Sequence, residues 1–296
     1  MNQKRIHPAW IAAGITWFTL VASAGYRSAP SVLIVPLEDS FGWSRSQISL
    51  AISINILLYG LTAPFAAALM ERFTVRKVVM SALAAVSIGA FLTIFMSKPW
   101  HLILLWGAVV GIGTGSMALV FAATIASRWF MQRRGLVVGA LTAAAATGQL
   151  IFLPLLSKLA MDHGWKSVSI TIAASAAIVI PLIWWGLNEH PQDIGHKPYG
   201  APADWVAPEK IQGHAAKNAI NALREGSKRK DFWLLFGTFF ICGLSTNGLI
   251  GTHFIPAAHD HGMGEVVAAS LLAMIGVFDV VGTVFSGYLT DRIDSR

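Results

Sequence analysis

Read for hydropathy, the chain alternates long apolar runs with short polar breaks. Eight runs reach the roughly 20 mostly apolar residues that a membrane helix needs. They cover 10–35, 46–70, 78–96, 102–126, 135–156, 168–187, 232–256 and 266–290. Each predicts a membrane-spanning helix. The first follows Lys4 and Arg5, is too long for a signal-peptide core and lacks a clear cleavage site. Between the sixth and seventh runs lies a polar stretch, 188–231, with several prolines, two short charge clusters and few large apolar residues. It reads as a linker. The pattern therefore divides the chain into a six-helix unit at 1–187, the linker at 188–231 and a two-helix unit at 232–296.

Composition agrees with this pattern. Apolar residues make up 55% and charged residues 12%, against about 25% charged in soluble domains. A net charge of +7 would fit nucleic acid if it were concentrated. Here the basic residues are spread over short loops between apolar runs, so membrane topology explains them and no nucleic-acid partner is expected. With the N-terminus in the cytoplasm, cytoplasmic segments hold 17 of the 22 Lys and Arg, and outer loops hold four: Arg45, Lys98, Lys158 and Lys166. That asymmetry sets the orientation and points to a multi-pass protein of the cell membrane. Arg27 is left over, inside the first run. The lone Cys242 can form no internal disulfide. No phosphate loop, nucleophile elbow or zinc motif is present, so no enzyme, cofactor or ATP-driven step is expected. The cluster His259, Asp260, His261 is short and lies in a loop, and no metal is assigned to it.

A charged decapeptide occurs twice. Ala67-Ala68-Leu69-Met70-Glu71-Arg72-Phe73-Thr74-Val75-Arg76 follows the second run, and Gly287-Tyr288-Leu289-Thr290-Asp291-Arg292-Ile293-Asp294-Ser295-Arg296 follows the eighth. Both have a small first residue, leucine third, an acid fifth and arginine sixth and tenth. Six helices separate the two copies, as expected for two six-helix halves related by an axis along the membrane normal. On that count the second half stops after two helices, and the chain reads as truncated.

The decapeptides resemble the loop motif of the major facilitator superfamily, roughly G-x-L-x-D-R-x-G-x-R. The second copy fits at Gly287, Leu289, Asp291, Arg292 and Arg296, with Asp294 in a glycine place. The first fits at Leu69, Arg72 and Arg76, with Ala67, Glu71 and Thr74 as departures. Phe41-Gly42-Trp43-Ser44, Arg128-Trp129-Phe130, Arg133-Arg134-Gly135-Leu136 and Phe278-Asp279 look like the monocarboxylate and oxalate/formate branch. The resemblance implies an all-α integral membrane bundle of the major facilitator type, with a six-helix N-terminal half and the first two helices of a C-terminal half. It implies a secondary transporter in the lipid bilayer; the oligomeric state stays open, with a monomer expected. The substrate would be a small organic anion, moved by alternating access with protons as the favoured coupling ion. It also implies a gating role for Glu71, Arg72, Arg76, Asp291 and Arg292, with each acid holding a helix end of the opposite half. Two departures matter. Gly107 and Thr283 stand where arginines are frequent in related chains, which shifts substrate binding toward Arg27.

Arg27 lies about nine residues from the outer end of its run, about 13 Å deep at 1.5 Å per residue. A charge there costs at least ~2.5 kcal/mol and should face a cavity or partner. It is a candidate anchor for a carboxylate, the alternative being a side chain that snorkels to the headgroups. Asp279, well inside the last run, is the candidate proton carrier and a candidate partner for Arg27. Tyr26, Asn55, Tyr59, Gln149 and Asn247 are candidates for the lining of a midplane substrate site, or for interhelical hydrogen bonds. The Gly107, Gly111, Gly115 step marks close helix packing. Rival functions are efflux or exchange of another small solute, and a truncated membrane protein that transports nothing.

Overall fold

The computed structural model describes residues 7–117, 119–207 and 215–292. Lys4, Arg5, Lys210, Asp294 and Arg296, used in the charge count and the second decapeptide, lie outside the described residues. Eight described helices are long and apolar enough to cross a membrane: α1 Pro8–Phe41, α2 Arg45–Arg72, α3 Val75–Thr93, α4 Pro99–Trp129, α5 Arg134–His163, α6 Trp165–Gly186, α7 Lys230–Asp260 and α8 Glu265–Thr290. No β-strand occurs among the described residues. A short linker helix, Ala215–Gly226, packs against α2.

Local chemistry sets the helix ends. The His7 imidazole accepts the Ala9 N–H and Pro8 follows, a start that suits proline because its missing N–H would be unpaired there anyway. Hydropathy alone ends the first helix at Val35, before Pro36. The structure runs on through Pro30 and Pro36 to Phe41, where Gly42 at φ 66° donates to the Glu38 carbonyl and stops it. Ser44 and Gln47 then form a reciprocal cap on α2. Two spans carry a widened turn of i→i+5 geometry, at Ile103–Val110 in α4 and Gly243–Ile250 in α7. Such turns rotate the faces beyond them and free a carbonyl for other donors.

α1 is the most enclosed span, packing against α5, α6, α7 and α2. α5 and α8 run antiparallel along their whole length in one register. An added Cβ on Gly135 would meet the Gly287 carbonyl at 2.5 Å, one on Gly139 the Thr283 carbonyl at 2.6 Å, and one on Gly276 the Ala146 carbonyl at 3.0 Å. Side-chain-free positions thus let the two backbones touch. One end of the bundle collects the loops rich in Arg and Lys and is called the basic end. At the opposite end α7 buries Thr252, Ile255 and Pro256, and α8 buries Ala268, Ala269, Leu272 and Ala273. Toward the basic end both helices are exposed, and α7 buries nothing between Lys230 and Ile250. The last two helices are therefore clasped to the first six at the opposite end and along α5, and diverge from α1 below.

Candidate functional site

The long α1 places Arg27 14 residues from its end at Phe41, about 21 Å along the helix. That is deeper than hydropathy implies, because α1 does not stop at Pro36. Tyr59 in α2, Gln149 in α5, Asn247 in α7 and Asp279 in α8 each lie 13 or 14 residues from the same end of their helices. Five polar side chains from five helices therefore share one level near mid-membrane.

Three of them meet. The half-buried Arg27 guanidinium donates from Nη1 to the Tyr59 hydroxyl at 3.3 Å and from Nη2 to Asn247 Oδ1 at 3.0 Å. It also lies 4.5 Å from the centre of the Tyr59 ring. The contact joins α1 and α2 to α7, across the linker. Both acceptors are neutral, and no carboxylate pairs with Arg27 among the described residues. The site keeps a net positive charge at a depth where isolated charge is expensive. An anion brought there would gain paired guanidinium hydrogen bonds.

Local sequence explains how the partners arrive. Gly107, Gly111 and Gly115 of α4 face Ala51, Asn55 and Tyr59 of α2, with added Cβ atoms 3.1, 3.0 and 2.6 Å from α2 backbone atoms. The matched four-residue steps seat α2 on α4 and fix Tyr59. In α7 the widened turn frees the Asn247 carbonyl, which accepts the Thr252 hydroxyl at 2.8 Å and holds that turn. Gly25, two residues before Arg27, lies under the Phe152 ring, 2.6 Å from where a Cβ would sit. That stacking brings α5 against α1 one turn from Gln149, which is half-buried.

The other candidates are placed differently. Asn55 is buried and donates to the Trp106 carbonyl at 2.7 Å, inside the widened turn of α4. Its amide is spent on packing and turned away from Arg27. Tyr26 is 1% exposed and sits in the core rather than beside the guanidinium. Asp279 does not pair with Arg27; its carboxylate is exposed and unpartnered among the described residues, while Thr283 donates to its backbone carbonyl at 2.7 Å. It nevertheless stands on the stripe of Glu265 and Leu272, at seven-residue steps along α8.

At the basic end the Asp291 carboxylate accepts the Gly135 N–H at 2.7 Å and the Leu136 N–H at 2.8 Å. These are first-turn amides of α5, where free N–H groups and the helix dipole favour an anion. Arg133, just before them, adopts φ 61°, ψ 28°, a left-handed conformation that costs a non-glycine residue about 1 kcal/mol. Arg292 lies 4.4 Å from the Tyr288 ring centre. In the first decapeptide Glu71 has no partner among the described residues, and Arg72 lies over Phe73. Arg76 turns back within the first six helices, donating to the Leu187 carbonyl at 2.8 Å and to Asn188 at 3.3 Å. Sequence reasoning missed Glu189, which accepts the Val75 N–H and pairs with Arg128, tying α3, α4 and the end of α6 together. It also missed the opposite end. There Arg45 holds Glu38 through two 3.0 Å bonds and reaches Asp260 at 2.7 Å. Asp260 is thus engaged with an arginine rather than with its flanking histidines.

The model of the Major Facilitator Superfamily matches residues 16–296. The chain belongs to this superfamily. Among curated relatives it is 28% identical over 290 residues to the uncharacterized MFS-type transporter YcxA of Bacillus subtilis, covering 97% of this chain and 66% of that protein. It is 25% identical over 287 residues to monocarboxylate transporter 13 of Bos taurus, covering 96% of this chain and 62% of that protein. The chain thus spans just under two thirds of the length of these relatives. Among solved structures, a bacterial homologue of the human lysosomal transporter Spinster, inward-facing and unoccupied, matches with a TM-score of 0.71 at 15% identity, over 99% of this chain and 64% of that one. At that identity the likeness speaks for the fold.

Within the superfamily, the two departures from the frequent arginines have physical grounds in this structure. A side chain at Gly107 would enter α2 at the Ala51 carbonyl. Thr283 lies in the tight α5–α8 seam, its carbonyl against Gly139.

Proposed function

We propose that this protein is a secondary active transporter for a small organic anion of the monocarboxylate type. It works by alternating access across the cell membrane, with the N-terminus cytoplasmic and protons as the coupling ion. The observation that carries the reading is Arg27: a half-buried, mid-membrane guanidinium held by neutral side chains from both sides of the linker, with no acid paired to it among the described residues. A single carboxylate satisfies that charge and displaces the Asn247 contact, which couples occupancy to the relative position of α1 and α7. Asp279, an acid at the same level and unpartnered among the described residues, supports proton coupling. The basic end is the cytoplasmic one, where the Asp291 contact serves as a gate between α8 and α5.

Thermal denaturation of the purified chain with acetate, lactate or pyruvate tests the anion site. A ligand at 100 times its Kd stabilises by about 2.7 kcal/mol. Stabilisation by carboxylates is expected for the native chain and is expected to vanish in Arg27→Ala. Stabilisation by neutral or cationic solutes alone would sink the reading. For the coupling ion, Asp279→Asn is expected to abolish pH-driven uptake while leaving expression intact.

A further inference from the structure

A second acid has no place in the substrate site. Glu265 opens α8 at the end opposite the basic loops and is 9% exposed, yet its Oε2 is buried without a hydrogen-bond partner. Among the described residues it is the one buried carboxylate. It lies on the same stripe as Ala268, Ala269, Leu272 and Gly276, the face that α8 presses onto the first six helices. The α5–α8 register locates it further. Gly135 meets Gly287, Gly139 meets Thr283 and Ala146 meets Gly276, so each step along α5 is matched by an equal step back along α8. Continuing that register brings Ser157 level with Glu265. Ser157 is 0% exposed, and its Oγ is likewise buried without a partner. Each set of helices thus buries an orphaned oxygen toward the end opposite the basic loops.

The charged groups around Glu265 do not satisfy it. His259 at the end of α7 and Asp39 at the end of α1 act on it only through space. Arg45, the cation of this end, is engaged by Glu38 and Asp260, and Lys158 on α5 is exposed. Burying one carboxylate oxygen without a donor costs the charged form, and the neutral acid has a proton to donate to an acceptor such as a serine hydroxyl. When α8 leaves α5 at this end, the same group becomes wet and ionises.

We propose that Glu265 is a proton-binding site of the outer gate, protonated while the gate is closed and ionised when it opens, so that external pH sets the gate. The proton enters from the outer side on closing and returns there on opening; Asp279, two heptads along the same stripe, is the group that carries a proton across. Glu265 and the Arg45 clasp form one device. Arg45 ties α7 to α1 and α2 by charge, and Glu265 makes the α8 contact conditional on acid. The proposal rests on alternating access but not on Arg27 or on the identity of the substrate.

The test uses the full chain in lipid nanodiscs without substrate. Cys242 is replaced by serine, and spin labels are placed at the exposed Ser40 and Met263. The distance between labels is read from pH 4.5 to 9. The parent is expected to shift from a short to a long distance as pH rises, Glu265→Gln to stay short throughout, and Glu265→Asp to keep the shift with a moved midpoint. Arg27→Ala is expected to leave the shift intact, which separates this proposal from the anion site. A parent that does not respond to pH, a Glu265→Gln chain that titrates like the parent, or loss of the response in His259→Gln alone would each overturn it.

Discussion

Replacing Asp291 with asparagine tests the α5–α8 contact at the basic end. The carboxylate accepts two N–H groups of α5, at 2.7 and 2.8 Å, from an exposed position. Hydrogen bonds to charged groups contribute about 1.5–3 kcal/mol each, and an anion at a helix N-terminus adds about 0.3–1 kcal/mol when exposed. Asparagine keeps one acceptor, turns an amide donor toward the second N–H and removes the charge. After discounting for solvent, the loss is about 1–2 kcal/mol, or roughly 5- to 30-fold in the population of the detached contact. Hydrogen exchange of the full chain in nanodiscs reads this directly. Peptides holding Gly135 and Leu136 should exchange faster by that factor, and peptides of the α3–α6 interface should not change. Unaltered exchange at Gly135 and Leu136 would refute the reasoning. So would an equal increase in Arg292→Gln, because the Arg292 guanidinium lies over the Tyr288 ring and, among the described residues, makes no hydrogen bond to α5.

Three further outcomes follow from the geometry. Gly139→Ala drives a methyl to 2.6 Å from the Thr283 carbonyl and should destabilise the chain by about 1–3 kcal/mol, seen as lower thermal stability. Arg133→Gly relieves the positive φ and should stabilise the start of α5 by up to about 1 kcal/mol, read as slower exchange in its first turn. Burial, then the charge of His196, holds the His7 imidazole below its ordinary 6.5, against a bond to the Lys197 backbone that raises it. Folding therefore favours neutral His7; this contribution is complete above about pH 6.5 and is lost as pH falls through the depressed folded value. Acid should release the α1 cap and its contacts with His196 and Tyr199. Trp10, edge-on to Phe130 and Tyr199, should report this by fluorescence, and His7→Asn should flatten the response.

How far the site was legible varies by residue. Arg27 is conspicuous because a charge in a long apolar run is expensive wherever the helix points. Asn247 and Tyr59 were legible as polar residues at the right depth, but not as partners of one guanidinium. Asn55 has the same polarity, four residues from Tyr59, and is spent on α4. Glu265 and Arg45 passed for ordinary loop charges. Their burial and pairing depend on where α7 and α8 settle against α1 and α5, which no local window contains.

The chain alone determined the eight apolar spans and the superfamily, because membrane insertion is read over about 20 residues at a time. Glycine steps at 107, 111 and 115 announced a close helix contact, though not with which helix. Tertiary structure decided the rest. It carried α1 through Pro36, set Arg27 deeper, turned Asn247 inward through a widened turn and seated Asp291 on α5. The reason is physical: hydropathy depends on transfer of one helix from water to lipid, whereas a site depends on the rotation and register of several helices, and those are fixed by backbone contacts between residues far apart in sequence.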